Sequence, residues 1–270
     1  MSVESLPPAV AAALARARDF LDARGAACEA LLVRVAAGEA ARAAFVAAAA
    51  LRQDPRGALG PLLAGDAPGP GVASTADVLG WLGALGVCDG PPVERAVAFL
   101  AGAQQADGGW LDPSAVGEEA EGALVATVCA LLARAPSARL SSLRRAAVAL
   151  GARWSRERVQ GGSYPTIAGY LAALATLPAE LDAADEALQW CGRELERGFR
   201  TGAFGAAAVA KVFSRCDALA VPGARLRADE VARALLAAQR EDGSFPGEGP
   251  PERVACEAAV ALRHLASAAA

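Results

Sequence analysis

Three acids crowd the start of one segment, Glu118-Glu119-Ala120-Glu121. Carboxyls this close repel one another, which favours protonation of one of them and suits a general acid. The same acids also suit the first turn of a helix, whose free N–H groups favour negative charge. Asp77 opens another segment, Ser74-Thr75-Ala76-Asp77-Val78-Leu79-Gly80-Trp81, with Trp81 one turn further on the same side. Asp77 reads either as an acid facing a cavity or as a first-turn residue behind a cap from Ser74 or Thr75. Trp81 reads as core or as a platform for substrate. Lys211 lies amid Ala and Val, so it needs a partner, a bound anion or a path to water. Tyr170, Phe213, Cys256 and Glu257 complete the polar and aromatic candidates. The chemistry such a set supports is proton transfer to an apolar substrate, with Glu118, Glu119, Glu121 and Asp77 as acids. Trp81, Tyr170, Lys211, Phe213, Cys256 and Glu257 would then bind it.

Other chemistries find little support. The chain has one histidine, His264, and six scattered cysteines without a Cys-x-x-Cys pair, so neither a metal nor another cofactor is expected. A net charge of −4 and a pI of about 5.2, with no basic stripe carrying interleaved aromatics, argue against nucleic acid. No apolar run is long enough to span a bilayer, since the Ala-rich stretch 43–51 stops at Arg52. Met1-Ser2-Val3-Glu4 is a poor start for a signal peptide. A cytoplasmic protein without integral membrane association is expected.

The elements that position these residues are helices. Pro and Gly punctuate the chain, and apolar residues recur at helical spacing between them. Twelve helical segments emerge: 8–23, 26–36, 38–53, 74–87, 92–106, 118–135, 140–157, 165–177, 181–197, 205–216, 227–240 and 252–267. No stretch shows strand alternation. Two loops share the pattern Gln-x-x-Asp-Gly-x-aromatic, at Gln104–Trp110 and Gln239–Phe245. Weaker copies end at Gly162-Ser163-Tyr164 and Gly202-Ala203-Phe204. The aromatic ends at 110, 164, 204 and 245 lie 54, 40 and 41 residues apart, the period of a helix-pair repeat.

The stretch from Arg95 to Trp110 carries a basic and a small residue, Phe99-Leu100, Gln104, Gly108 and Trp110 in order. It resembles the repeat motif of triterpene cyclases, and the chain thereby resembles the prenyltransferase and squalene-cyclase repeat superfamily. That resemblance implies a single all-α domain over residues 1–270, an (α/α)6 barrel or toroid. Outer helices 8–23, 38–53, 92–106, 140–157, 181–197 and 227–240 would alternate with inner helices 26–36, 74–87, 118–135, 165–177, 205–216 and 252–267. It also implies a site at the ring's centre. The Asp-x-Asp-Asp acid motif of class II cyclases is missing, and Glu118-Glu119-Ala120-Glu121 stands where it would be expected. Cys256 resembles the zinc cysteine of protein prenyltransferases, but Val254 replaces the expected Asp. Aromatic residues make up only 5% of the chain, few for stabilising the cations of a long polyene. The implied function is a metal-independent cyclase or isomerase acting on a small hydrophobic isoprenoid or polyketide-like substrate. The alternatives are a non-catalytic module binding a hydrophobic ligand or partner, and a relative of the prenyltransferase β-subunit.

Overall fold

Proline is tolerated in the first turn of a helix, and glycine supplies the left-handed residue that ends one. The computed structural model of the protein describes residues 6–160, 162–177, 184–216 and 220–268. Among the described residues there are thirteen helices and no strand. They are α1 (Pro8–Ala23), α2 (Ala27–Ala37), α3 (Arg42–Ala50), α4 (Val72–Ala84), α5 (Pro91–Ala103), α6 (Glu118–Arg134) and α7 (Leu140–Arg153), then α8 (Arg156–Val159), α9 (Tyr164–Thr176), α10 (Ala184–Arg200), α11 (Ala206–Cys216), α12 (Ala228–Ala238) and α13 (Pro251–Ala268). Each expected segment contains a helix, with two corrections. Segment 38–53 keeps only α3, because Gly38 takes a φ of 78° to cap the end of α2. Segment 140–157 divides into α7 and α8, because Ser155 accepts from the Arg158 N–H and starts a new turn. Residues 181–183 of the expected helix 181–197 lie outside the described residues. No helix among the described residues is long and apolar enough to cross a membrane.

Burial sorts the helices into two kinds. In α5 only Val93, Ala96, Val97 and Leu100 are buried, a single stripe at i, i+3, i+4 and i+7. Helix α12 likewise buries only Ala228, Val231 and Leu235. By contrast, every residue of α9 from Thr166 to Leu174 is buried. Helices α4 and α6 also bury residues on all sides. Small residues permit this close packing: a Cβ on Gly169 would lie 3.1 Å from Ala126 of α6. The buried helices pack in succession, α4 on α6, α6 on α9, α9 on α11, α11 on α13, and α13 on α2. Between α2 and α4, the segment 51–71 contributes buried Leu59, Leu62 and Leu63, and its Ala64 N–H donates to Glu29 of α2.

Three loops each hold a neighbouring helix by one device. Gln104 donates through Nε2 to the Gly108 carbonyl of its own loop and to the Ser142 carbonyl of α7, both at 3.0 Å. Gln239 does the same to Gly243 and to Ala13 of α1, at 3.1 and 2.9 Å. Gln53 does it to Gly57 and to Pro92 of α5, both at 2.9 Å. This last copy escapes the sequence pattern because Arg56 and buried Leu59 stand where the others carry Asp107 or Asp242 and Trp110 or Phe245. The three glycines have φ of 97°, 88° and 88°. A Cβ on Gly57, Gly108 or Gly243 would lie 2.5, 2.2 or 2.1 Å from the carbonyl oxygen of Arg95, Arg145 or Arg16. The arginines answer the glutamines: Arg95 donates to Gln53, and Arg16 to Gln239. The last loop therefore grips the first helix as the earlier loops grip theirs. The two weaker loops show no such clasp among the described residues; instead the Tyr164 and Phe204 rings meet edge to face at 5.7 Å.

Candidate functional site

Three of the buried helices present charged residues to one another. Each does so at i, i+4 spacing, which places both residues on one face. Helix α4 supplies Asp77 and Trp81, α11 supplies Lys211 and Arg215, and α13 supplies Arg253 and Glu257; all six border one cavity of about 30 Å³. Arg253 is the hub. It donates to Asp66 at 2.6 Å, to Asp77 at 3.1 Å and to Glu257 at 3.1 Å. Glu257 also accepts from the Lys211 ammonium. The Trp81 ring lies beneath both cations, with its centroid 5.4 Å from the Arg253 guanidinium carbon and 5.9 Å from the Lys211 nitrogen. Its indole N–H is buried without a hydrogen-bond partner.

Burial sets the protonation of this cluster. Side-chain exposure is 27% for Asp77, 19% for Lys211 and 14% for Glu257. Burial pushes the Asp77 carboxyl above its ordinary range; Arg253 opposes this and the neighbouring Asp66 charge adds to it. Burial works against the Glu257 charge too, but Lys211 and Arg253 outweigh it and hold this carboxyl below its usual range. Lys211 is driven down to about 8, by burial first and then by the Arg215 charge, with Glu257 pulling the other way. The site thus pairs a carboxyl pushed above its ordinary range with an amine driven below its own, the kind of divergence that assigns acid and base roles.

Lys211 is the one lysine among the 26 Lys and Arg residues. Protein labelled with carbon-13 lysine should therefore give a single side-chain NMR signal. Its titration midpoint should fall near 8, well below the ordinary 10.5. Glu257→Gln should move it lower still, because the carboxylate is what raises it. A midpoint above 10 would mean that the amine is as solvated as in an unfolded chain.

Gly80, Ala84, Ser214 and Arg215 border this cavity and also a second one of about 60 Å³. The second is largely apolar, with walls from Leu79, Val87, Leu131 and Ala172. A charged end and an apolar end thus share a common wall of three small residues and Arg215.

The other sequence candidates lie elsewhere. Glu118, Glu119 and Tyr170 border a separate, open depression of about 580 Å³. Glu118 is 75% exposed and pairs with Arg158. Glu119 accepts from Thr166, and hydrogen bonds from Ser163 and Thr166 hold its carboxyl below the usual range. A carboxyl held low donates a proton poorly at neutral pH. Glu121, half-buried on the same turn, borders neither the depression nor the two cavities. Phe213 and Cys256 are fully buried in the core, not in a cavity wall. Two residues from Lys211 and one from Glu257, they point to other sides of their helices. Cys256 Sγ lies 3.8 Å from the Glu29 carbonyl, and burial raises its thiol. Asp66, Ser214, Arg215 and Arg253 were missed. The signals that would have found two of them are the i, i+4 pairs Lys211/Arg215 and Arg253/Glu257. Among the described residues, no group of three His, Cys, Asp or Glu side chains is placed to hold a metal ion. In comparisons by sequence, no known protein family and no curated protein matches this chain.

Proposed function

We propose that the chain is an acid-catalysing enzyme, a cyclase or isomerase of the terpene-cyclase type that works without a metal. Its substrate would be a small hydrophobic isoprenoid or polyketide-like molecule. The observation that carries this is Asp77, a carboxyl biased toward its protonated form by burial, in a charged cavity that shares a wall with an apolar one. A scaffold gains little from such a cluster, since buried ion pairs contribute less than apolar packing of the same volume. In this reading Asp77 protonates an alkene or epoxide. The Trp81 face stabilises the cation that results. Glu257, held ionised by Lys211 and Arg253, takes the proton that ends the reaction. The modest cavities suit a small substrate, not a long polyene. The Gln clasps and the return of α13 to α2 support a closed (α/α)6 barrel with this site at its centre. They are also what supports kinship with the squalene-cyclase repeat superfamily.

The test is incubation with small terpene alkenes and epoxides, with and without chelator, followed by mass spectrometry. A new product that survives chelation and is lost in Asp77→Asn is the expected result. A second reading, a module that binds an apolar ligand unchanged, draws on the Arg253 contact, which engages the Asp77 carboxyl. Recovery of an unconverted ligand from the purified protein, with no product from any substrate, would establish it instead.

A further inference from the structure

Twenty-five of the 26 basic residues are arginines, so this chain uses guanidinium wherever a cation alone is needed. The one amine side chain sits in the wall of the charged cavity, against Glu257 and above Trp81. A guanidinium never loses its proton in a protein, whereas a buried amine does so readily. Trp81, which also borders the cavity, keeps its indole N–H buried and without a hydrogen-bond partner. We infer that Lys211 forms an imine with a small aldehyde or ketone whose apolar body enters the adjoining cavity. The inference rests on the proposed function insofar as both place ligand chemistry in this cavity, but it does not require the acid-catalysed step.

The groups around the amine suit each stage. The neutral Lys211 nitrogen attacks the carbonyl carbon, and the C=O electron pair moves to oxygen, which takes up a proton. Glu257 accepts the proton released from nitrogen and passes it to that oxygen. Asp77 protonates the departing hydroxyl, so one water leaves and a C=N bond remains. Asp77 and Trp81 of α4, Arg253 and Glu257 of α13, and Arg215 of α11 itself face this space. From α9, Tyr164 donates its hydroxyl to the Ala208 carbonyl, and burial keeps it protonated. Helices α10 and α12 also pack on α11 but contribute nothing to the cavity wall. Arg215 favours the neutral amine and Glu257 restrains it.

The experiment is reductive trapping of the full chain with butanal and cyanoborohydride at pH 7, read by intact mass and peptide mapping. Mapping separates Lys211 from the α-amino group. The same reaction is run on the chain unfolded in guanidinium chloride, where the amine returns to a pKa near 10.4. Lys211 should label at least about tenfold faster in the native chain, given how much more neutral amine it holds. Labelling that is no faster in the native chain overturns the inference. Ala84→Leu, which adds bulk to the wall that the two cavities share, should slow butanal severalfold and spare formaldehyde; if butanal is also spared, the apolar body does not enter there and that part falls. Trapping needs no turnover. Labelled Lys211 without any terpene product would leave the imine standing and sink the acid-catalysis reading, and product without labelling would do the reverse.

Discussion

Alanine at Gly243 should lower the unfolding free energy by about 3–4 kcal/mol. Two costs add. Gly243 has a φ of 88°, a region that costs an L-residue with a Cβ roughly 1–2 kcal/mol. The new Cβ would also lie 2.1 Å from the Arg16 carbonyl oxygen, a distance no real contact tolerates, so the loop must withdraw from α1. Withdrawal strains or breaks the Gln239 hydrogen bonds to Ala13 and Gly243, each worth about 1 kcal/mol. Gly38 is the control. Its φ is 78°, yet nothing lies within 4 Å of its Cβ position, so Gly38→Ala should cost about 1 kcal/mol from the backbone alone. Denaturant midpoints at unchanged slope measure both. Equal losses at the two positions would show that the last loop does not clasp the first helix in the way argued. Gly108 should behave like Gly243, because its Cβ would meet Arg145 at 2.2 Å.

Asp77→Asn should reduce turnover by about 10²–10⁴-fold, the range that a general acid supplies. The amide keeps the shape of the side chain and can still accept from Arg253, but it has no acidic proton to give. On the proposed function, activity of the unsubstituted chain should fall as pH rises through the Asp77 pKa, since the protonated form would do the work. That fall should begin above the ordinary carboxyl range, because burial raises this group. The residual activity of the variant should lack that limb. Stability changes in the opposite sense. A carboxyl whose folded pKa is raised stabilises the fold below its unfolded pKa, and that contribution is lost as pH rises through the folded value. At neutral pH the substitution should therefore be neutral or slightly stabilising, which separates lost chemistry from lost fold. Full activity in Asp77→Asn would remove it as the acid.

Local chemistry made much of the helical layout legible. Gly38 and Ser155 are the exceptions that moved helix ends, and both are cap residues whose effect depends on backbone geometry at a single position. The Gln–Gly–aromatic loops were visible where the aromatic is Trp110 or Phe245. They were invisible at Gln53–Leu59, because any buried apolar side chain can fill that pocket while only Gln and Gly make the clasp.

The site divides differently. Residue types put Asp77, Trp81, Lys211 and Glu257 among the ten candidates, and i, i+4 spacing joined only Asp77 with Trp81 on one helix face. Spacing does not decide which way that face turns. The rotation of α4, α11 and α13 about their axes comes from packing against neighbours distant in sequence, and it brought those four together around Arg253. The same rotation buried Phe213 and Cys256 in the core and left Glu118 and Glu119 at the surface. From its sequence alone this protein specified its helices, two of its three clasping loops and the scarcity of its amine. Tertiary packing alone decided that this amine stands beside a Glu257 held below the usual carboxyl range and near an Asp77 pushed above it, because burial and neighbouring charge, not residue type, set those shifts.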